Sequence, residues 1–225
     1  MVTASHSKIY WHTGERITQE DLLEFRLLYE GELLSSGNKP KPQNKHAIRK
    51  QLNPQLRNLW KIKRNLRQYA GYLGNQVYPH DGTQEERIER GIAHLGSNWA
   101  RGKYLFVPLV TEQFALRCSV DILLLRPDET QVIHSDGGDL DGKVKTIFDA
   151  LQIPKSLEGI NEPDKDESLF YCLLEDDKLI TEVRVVADQL LKLPKDRAPE
   201  ASDSYFVIHV KINHVGGGPF DRWFD

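Results

Sequence analysis

The chain is short of several things, and each shortage narrows what it can be. Only two cysteines occur, Cys118 and Cys172, each set among strand-like apolar residues. Two isolated thiols make neither a disulfide framework nor a zinc site, and they fit core packing in a reducing compartment. No apolar run approaches the length of a membrane span. The N-terminal "MVTASHSKIYWHTGER" lacks an apolar h-region, so no signal peptide is expected and a cytoplasmic protein is. Internal repeats and low-complexity tracts are missing too. What is there suits one soluble domain over 1–225, with 39% apolar residues to fill a core and 28% charged ones to face water.

The most informative shortage is local. From Leu33 to His80 there is no acidic residue, while ten Lys and Arg fall in that stretch. The rest of the chain then holds 20 basic and 33 acidic side chains, a balance of −13 within a net charge of −3. The net charge does not advertise a nucleic-acid binder, but a localised basic field suits a polyanion. Lys61, Lys63, Arg64 and Arg67 are therefore expected to contact nucleic-acid phosphates, making 1–113 a basic N-terminal part.

Periodicity supplies the elements. "DLLEFRLLYEGELLSSG" (21–37) fits helix or strand. "NKPKPQNKH" (38–46) reads as loop, because each proline pushes the residue before it towards extended geometry. "NPQLRNLWKIKRNLRQYAGYLG" is predicted helical, with Leu56, Leu59, Trp60, Lys63 and Leu66 near one face. "GTQEERIERGIAHLG" is a further helix, opened by a Thr83–Glu86 capping box and stopped by Gly96. The period then changes to two. In "FALRCSVDILLL", Phe114, Leu116, Cys118, Val120, Ile122 and Leu124 alternate with Ala115, Arg117, Ser119 and Asp121, which predicts a half-buried strand. "TQVIH" reads as a short partner strand, "KLITEVRVVADQL" and "SYFVIHVKIN" as two more, and "PKSLEGINEPDKDESLF" as a polar loop. This order predicts an α/β or α+β fold, a mixed sheet with helices packed on it.

The chemistry concentrates in "HSDGGDLDGKVKTIFDALQI" (134–153). Gly137, Gly142 and Lys143 fit the G-x-x-x-x-G-K of a phosphate loop. Val144, however, stands where a hydroxyl must hold Mg²⁺, and Asp139 and Asp141 would put negative charge into the cradle. Aligned on Gly142 as an EF-hand, the stretch has Gly137 at the first ligand position and Phe148 at the twelfth, so two oxygen ligands are missing. Asp139 and Asp141, one residue apart in an extended segment, leave the backbone on the same face. Asp141 is expected to cap a helix with an apolar stripe of Val144, Ile147, Phe148 and Leu151, leaving Lys145 and Asp149 on its polar side. Two carboxylates and a lysine at a helix start suit a hard Mg²⁺ ion, and Glu175, Asp176 and Asp177 add a further acidic cluster. Spacing alone leaves two readings open, a metal site and a capped, solvated turn.

"GDLDGKVKTIFDAL" followed by "LLEDDKLITEVRVV" resembles the RusA-like Holliday-junction endonucleases. Their signature is D-L-D-N, a lysine four residues after the second aspartate, a D-A-L helix end, and D-D before a strand. Asp139, Leu140 and Asp141 fit the first part, Lys145 the lysine, Asp149-Ala150-Leu151 the helix end, and Asp176-Asp177 the final pair. The motif-bearing core spans 114–214. The resemblance implies a RusA-like fold with an N-terminal extension and an insertion. It also implies a homodimeric endodeoxyribonuclease, dependent on Mg²⁺ or alternatively Mn²⁺, that cuts branched DNA such as Holliday junctions in recombination and repair. Asp139, Asp141 and Asp177 are then metal-binding catalytic carboxylates, with Lys145 near the scissile phosphate. Asp176 and Asp149 are read as a turn residue and a helix-surface charge.

Two departures are visible. Gly142 stands in place of the family's Asn, and the 152–175 segment is longer than usual. They keep two other functions in view: a non-catalytic nucleic-acid-binding module that kept the fold, and a nuclease of a defence or phage system with another DNA substrate. The 215–225 tail sets Phe220, Trp223 and Phe224 after a flexible glycine run, as a docking peptide for a protein partner or for its own domain.

Overall fold

The structure is a computed structural model, describing residues 11–12, 15–16, 23–35, 42–77, 79, 82–127, 140–164, 167–191 and 203–216. A two-residue strand pair, β1 (Trp11–His12) and β2 (Glu15–Arg16), comes first. The main sheet joins β3 (Glu24–Glu32), β6 (Leu116–Arg126), β8 (Ile180–Gln189) and β9 (Asp203–His214) in the order β3-β9-β6-β8. β9 pairs antiparallel with both β3 and β6, while β6 and β8 run parallel. With its helices this mixed sheet makes the fold α+β. The alternation in β6 places Leu116, Cys118, Val120, Ile122 and Leu124 in the core. Both cysteines are buried and free, as packing residues should be. The ambiguous 21–37 stretch resolves as β3, and the expected "TQVIH" strand lies outside the described residues.

A second sheet has no forerunner in the periodicity. It consists of β4 (Ala100–Arg101), β5 (Tyr104–Val110) and β7 (Leu169–Leu174), with β5 and β7 parallel. "YLFVPLV" and "LFYCLL" are almost wholly buried apolar runs. Strands covered on both faces lose the two-residue period that gives half-buried strands away. The polar loop expected over 154–170 therefore ends where β7 begins at Leu169.

Four helices are described: α1 (Pro42–Ile62), α2 (Arg64–Val77), α3 (Gln84–Ser97) and α4 (Leu140–Leu151). The loop expected over 38–46 is already helical at Pro42, because proline tolerates a first turn whose N–H groups have no intrahelical acceptor. The single helix expected from Asn53 is instead two, divided at Lys63. The Thr83–Glu86 capping box is formed, with Glu86 N–H donating to Thr83 Oγ1 at 3.3 Å and Thr83 N–H to Glu86 Oε2 at 2.6 Å. Gly96 does not stop α3, which runs on to Ser97. It lets the helix approach the second sheet, where a Cβ would stand 3.2 Å from Leu105 Cβ.

α1 positions much of the rest. Its Ile48, Leu52, Leu56 and Leu59 form a buried stripe. On another side, Gln51 and Gln55 bond the backbone of the edge strand β3 as a neighbouring strand would. Leu28 N–H donates to Gln55 Oε1 at 2.9 Å and Leu28 O accepts from Gln55 Nε2 at 2.7 Å. Glu30 is bonded by Gln51 in the same two-way manner, at 3.3 and 2.9 Å. An edge that would otherwise template further pairing is thereby covered.

Candidate functional site

α4 lies on the connection between the parallel strands β6 and β8. It begins at Leu140, so Asp141 sits inside the first turn instead of capping it. A carboxylate there is favoured by the positive end of the helix dipole. Asp139 lies outside the described residues. Of the expected apolar stripe, Ile147 and Leu151 are buried and Val144 and Phe148 half-buried. Asp141 and Lys145, one turn apart, are both exposed. Lys143, between them, is only 1% exposed and directed into the protein.

The other end of α4 is tied down by α1. Asp149 Oδ2 lies 2.5 Å from Lys45 Nζ. Arg49, itself buried, donates through Nη2 to Asp149 O and through Nε to Gln152 O at 3.1 Å, satisfying carbonyls that a helix end leaves open. Gln152 Nε2 donates to Asp149 Oδ1 at 3.2 Å and, in a long bond of 3.4 Å, to Asp177 Oδ2. A cleft of about 270 Å³ opens alongside, with Lys45, Arg49, Asp149, Gln152, Lys155 and Glu158 in its walls.

The acidic cluster before β8 is divided among three tasks. Glu175 Oε2 accepts from Glu112 N–H at 3.1 Å, steadying the turn before β6. Asp176 accepts from Lys178 N–H at 3.0 Å and so caps the short 3₁₀ turn Asp177–Leu179. Only Asp177 faces α4, at the Gln152 end. Asp149 is eight residues beyond Asp141, about 12 Å at a helical rise of ~1.5 Å per residue. Asp141 and Asp177 are thus associated with opposite ends of the helix. Among the described residues no three His, Cys, Asp or Glu side chains stand close enough to hold a metal ion. The carboxylate oxygens suit Mg²⁺ in kind, but the described arrangement does not converge Asp141 with Asp177.

The basic segment is less uniform than its sequence. Acidic partners absent within 33–80 arrive from elsewhere. Lys45 has Asp149, Lys50 has Glu167 at 2.9 Å, and Arg67 has Glu85 at 2.5 Å. Arg67 also donates to Lys61 O at 3.1 Å. Arg57, Lys61 and Arg64 remain exposed along α1 and the start of α2, with Lys63 half-buried between the helices. Lys45 and Arg49 give no local signal of their role, since the residues they hold, Asp149 and Gln152, lie about a hundred positions further on.

No protein-family model, curated protein or solved structure matches the chain. No described helix is long and apolar enough to cross a membrane.

Proposed function

We propose that the chain is a Mg²⁺-dependent endonuclease of branched DNA, of the RusA-like kind, with its reacting end at the start of α4. The observation that carries this reading is that Asp141 and Lys145 are exposed together on the first two turns of a helix otherwise packed into the protein. Asp139 and Asp141 are assigned to the metal. Once bound, Mg²⁺ supplies Lewis-acid stabilisation of the phosphate and activation of the attacking water. Lys145 sets an ammonium one turn further on, where negative charge develops on the phosphate oxygens. The exposed cations Arg57, Lys61 and Arg64 hold backbone phosphates without reading bases. The resemblance alone makes Asp177 a third ligand; its bond to Gln152 at the far end of α4 gives it a structural role, and Asp177→Asn separates the two.

The test is cleavage of four-way, flapped and linear DNAs with Mg²⁺ or Mn²⁺ by wild type and by Asp141→Asn, Asp177→Asn and Lys145→Ala. Asp141→Asn is expected to abolish cleavage while leaving folding and DNA binding intact. Lys145→Ala is expected to slow cleavage without loss of metal binding. If Asp177→Asn cleaves as wild type does, Asp177 is a structural residue and the ion belongs to the α4 start alone. The second reading, a non-catalytic nucleic-acid binder, is favoured by the engagement of Asp149 with Lys45 and of Asp177 with Gln152. It stands if wild type binds every branched DNA tightly and cuts none.

A further inference from the structure

The cleft at the far end of α4 has three walls: the first turns of α1, the end of α4, and the loop that follows α4. The loop is fixed by its own bonds. Glu158 N–H donates to Ser156 Oγ at 3.1 Å, and Ile160 N–H to Leu157 O at 2.9 Å. Gly159, at φ +72°, brings it against α1, where a Cβ would stand 3.1 Å from Gln43 Nε2.

Charge in this cleft does not balance. Lys45 and Asp149 satisfy each other, and Lys155 and Glu158, both exposed on the loop, cancel. Arg49 is left over. It is only 5% exposed, its two bonds go to main-chain oxygens, and among the described residues no carboxylate pairs with it. Burial lowers the pKa of its guanidinium, with Cys172 and Asp149 opposing. The α4 end that it bonds carries about half a negative charge. The start of α1, with no acidic residue in its first turn, adds about half a positive one. Close to one positive charge is therefore uncompensated, and a buried charge without a counter-ion is costly.

Two polar groups in the walls are also uncommitted. Arg49 Nη1 takes no bond among the described residues and is not closed off from solvent. Gln152 spends Nε2 on Asp149 and Asp177, and its Oε1 is buried with no partner. Buried polar groups in that state are rare in folded proteins.

We propose that this cleft binds a small phosphate monoester, its phosphate between Arg49 Nη1, Lys45 and the start of α1, and its organic body on the loop side. A phosphate suits the site better than a carboxylate, because it carries nearly two charges and three terminal oxygens for donors that converge from several sides. Inorganic phosphate alone would fill only a fraction of about 270 Å³. Pro42, Ile153, Pro154 and Ile160 supply an apolar surface for a ring, and Glu158 accepts from a hydroxyl or amino group on it. The volume is near the lower end of ligand clefts, roughly 300 Å³, and matches a mononucleotide in size. Asp141 and Lys145 stand at the other end of α4, so this site holds whether or not the chain cuts DNA.

The test is titration of the ¹⁵N-labelled full chain with deoxyadenosine 5′-monophosphate, deoxyadenosine and inorganic phosphate, each from roughly 0.1 to 10 mM, followed by amide shifts. The monophosphate should bind one per chain with a dissociation constant below about 1 mM. Shifts should be centred on 42–49 and 152–160, and the nucleoside and inorganic phosphate should each bind at least tenfold more weakly. Two loop variants that leave the described bonds intact should act in opposite directions, K155Q weakening binding about threefold and E158Q tightening it about threefold. R49K keeps the charge but loses the forked guanidinium, and should bind at least tenfold more weakly. The R57Q, K61Q and R64Q triple variant should bind the monophosphate as wild type does, which separates this site from the cations assigned to DNA. No saturable shift at 10 mM overturns the proposal, as does nucleoside binding of equal strength. Equal binding by inorganic phosphate overturns the place of the organic body. Wild-type affinity in both K155Q and E158Q, or loss of binding in the triple variant, overturns the location.

Discussion

Lys45 and Asp149, 104 residues apart in the chain, meet at 2.5 Å in an ion pair whose side chains are 18% and 23% exposed. It fastens the first turns of α1 to the last turn of α4, beside the buried Arg49 that bonds the same helix end. Removing one partner leaves the other charge half-desolvated. Lys45→Met or Asp149→Asn should each destabilise by about 1–3 kcal/mol. The double variant should cost less than the two added together. Urea unfolding of the four proteins measures this, and strict additivity would mean that the pair contributes nothing.

The contact between α2 and α3 rests on two glycines. A Cβ on Gly74 would lie 1.8 Å from Arg87 O, and one on Gly91 would lie 1.8 Å from Ala70 O. Backbone oxygens on packed helices cannot step aside as a side chain can. Gly74→Ala and Gly91→Ala are each expected to cost about 3 kcal/mol or more, by forcing α2 and α3 apart. Gly71→Ala is the control. Its Cβ would meet only Ile88 Cγ1 at 3.6 Å, so helix propensity should make it stabilising by up to ~1 kcal/mol. Thermal unfolding should separate the three, and equal losses at all three positions would mean that helix approach is not the cause.

These elements also show what sequence can disclose. The period of β6 and the capping box at Thr83 are local patterns, and the fold keeps them. The buried face of α4 is instead turned to take in Lys143 and Thr146, and Asp149 from its expected polar side packs against α1. β5 and β7 escaped because complete burial erases their alternation, and the α1 start escaped because Pro42 fits a first turn as well as a loop. The basic segment was legible as charge but not as surface. Half of its meaning lies in Asp149, Glu167 and Glu85, which arrive from other elements. The same holds for Asp177, whose neighbour Gln152 no motif would nominate.

Stability should depend on pH through His46. Burial, reinforced by Arg49 and Lys50 and opposed by Glu167, lowers its pKa from 6.5 to about 4. The ring stacks on Phe170 at 5.6 Å and is held neutral in the folded state. The unfolded chain binds a proton at higher pH than the folded one does. His46 therefore favours the fold fully above pH 6.5, and that contribution falls as pH drops towards 4. Urea midpoints of wild type should fall faster over this window than those of His46→Leu. Parallel curves would show that the ring is protonated in the fold.

The last expectation concerns which cations meet DNA. Counterion release makes log K fall with log salt in proportion to the phosphates neutralised, with a slope of about −0.9 per contact on duplex DNA. Arg57, Lys61 and Arg64 are exposed, whereas Arg67 is already paired with Glu85 and bonded to Lys61 O. Replacing the first three by Gln should flatten the slope by about 2 to 3 and weaken binding most at low salt. Arg67→Gln should change the slope little, because its charge is balanced before DNA arrives, and should instead lower stability slightly. Lys45→Met belongs with the structural group and should leave the slope alone. Fluorescence anisotropy of a labelled four-way junction between 50 and 200 mM salt is the measurement. A triple variant with the wild-type slope would mean that α1 and α2 turn this side away from DNA, and the phosphate contacts would have to be sought elsewhere.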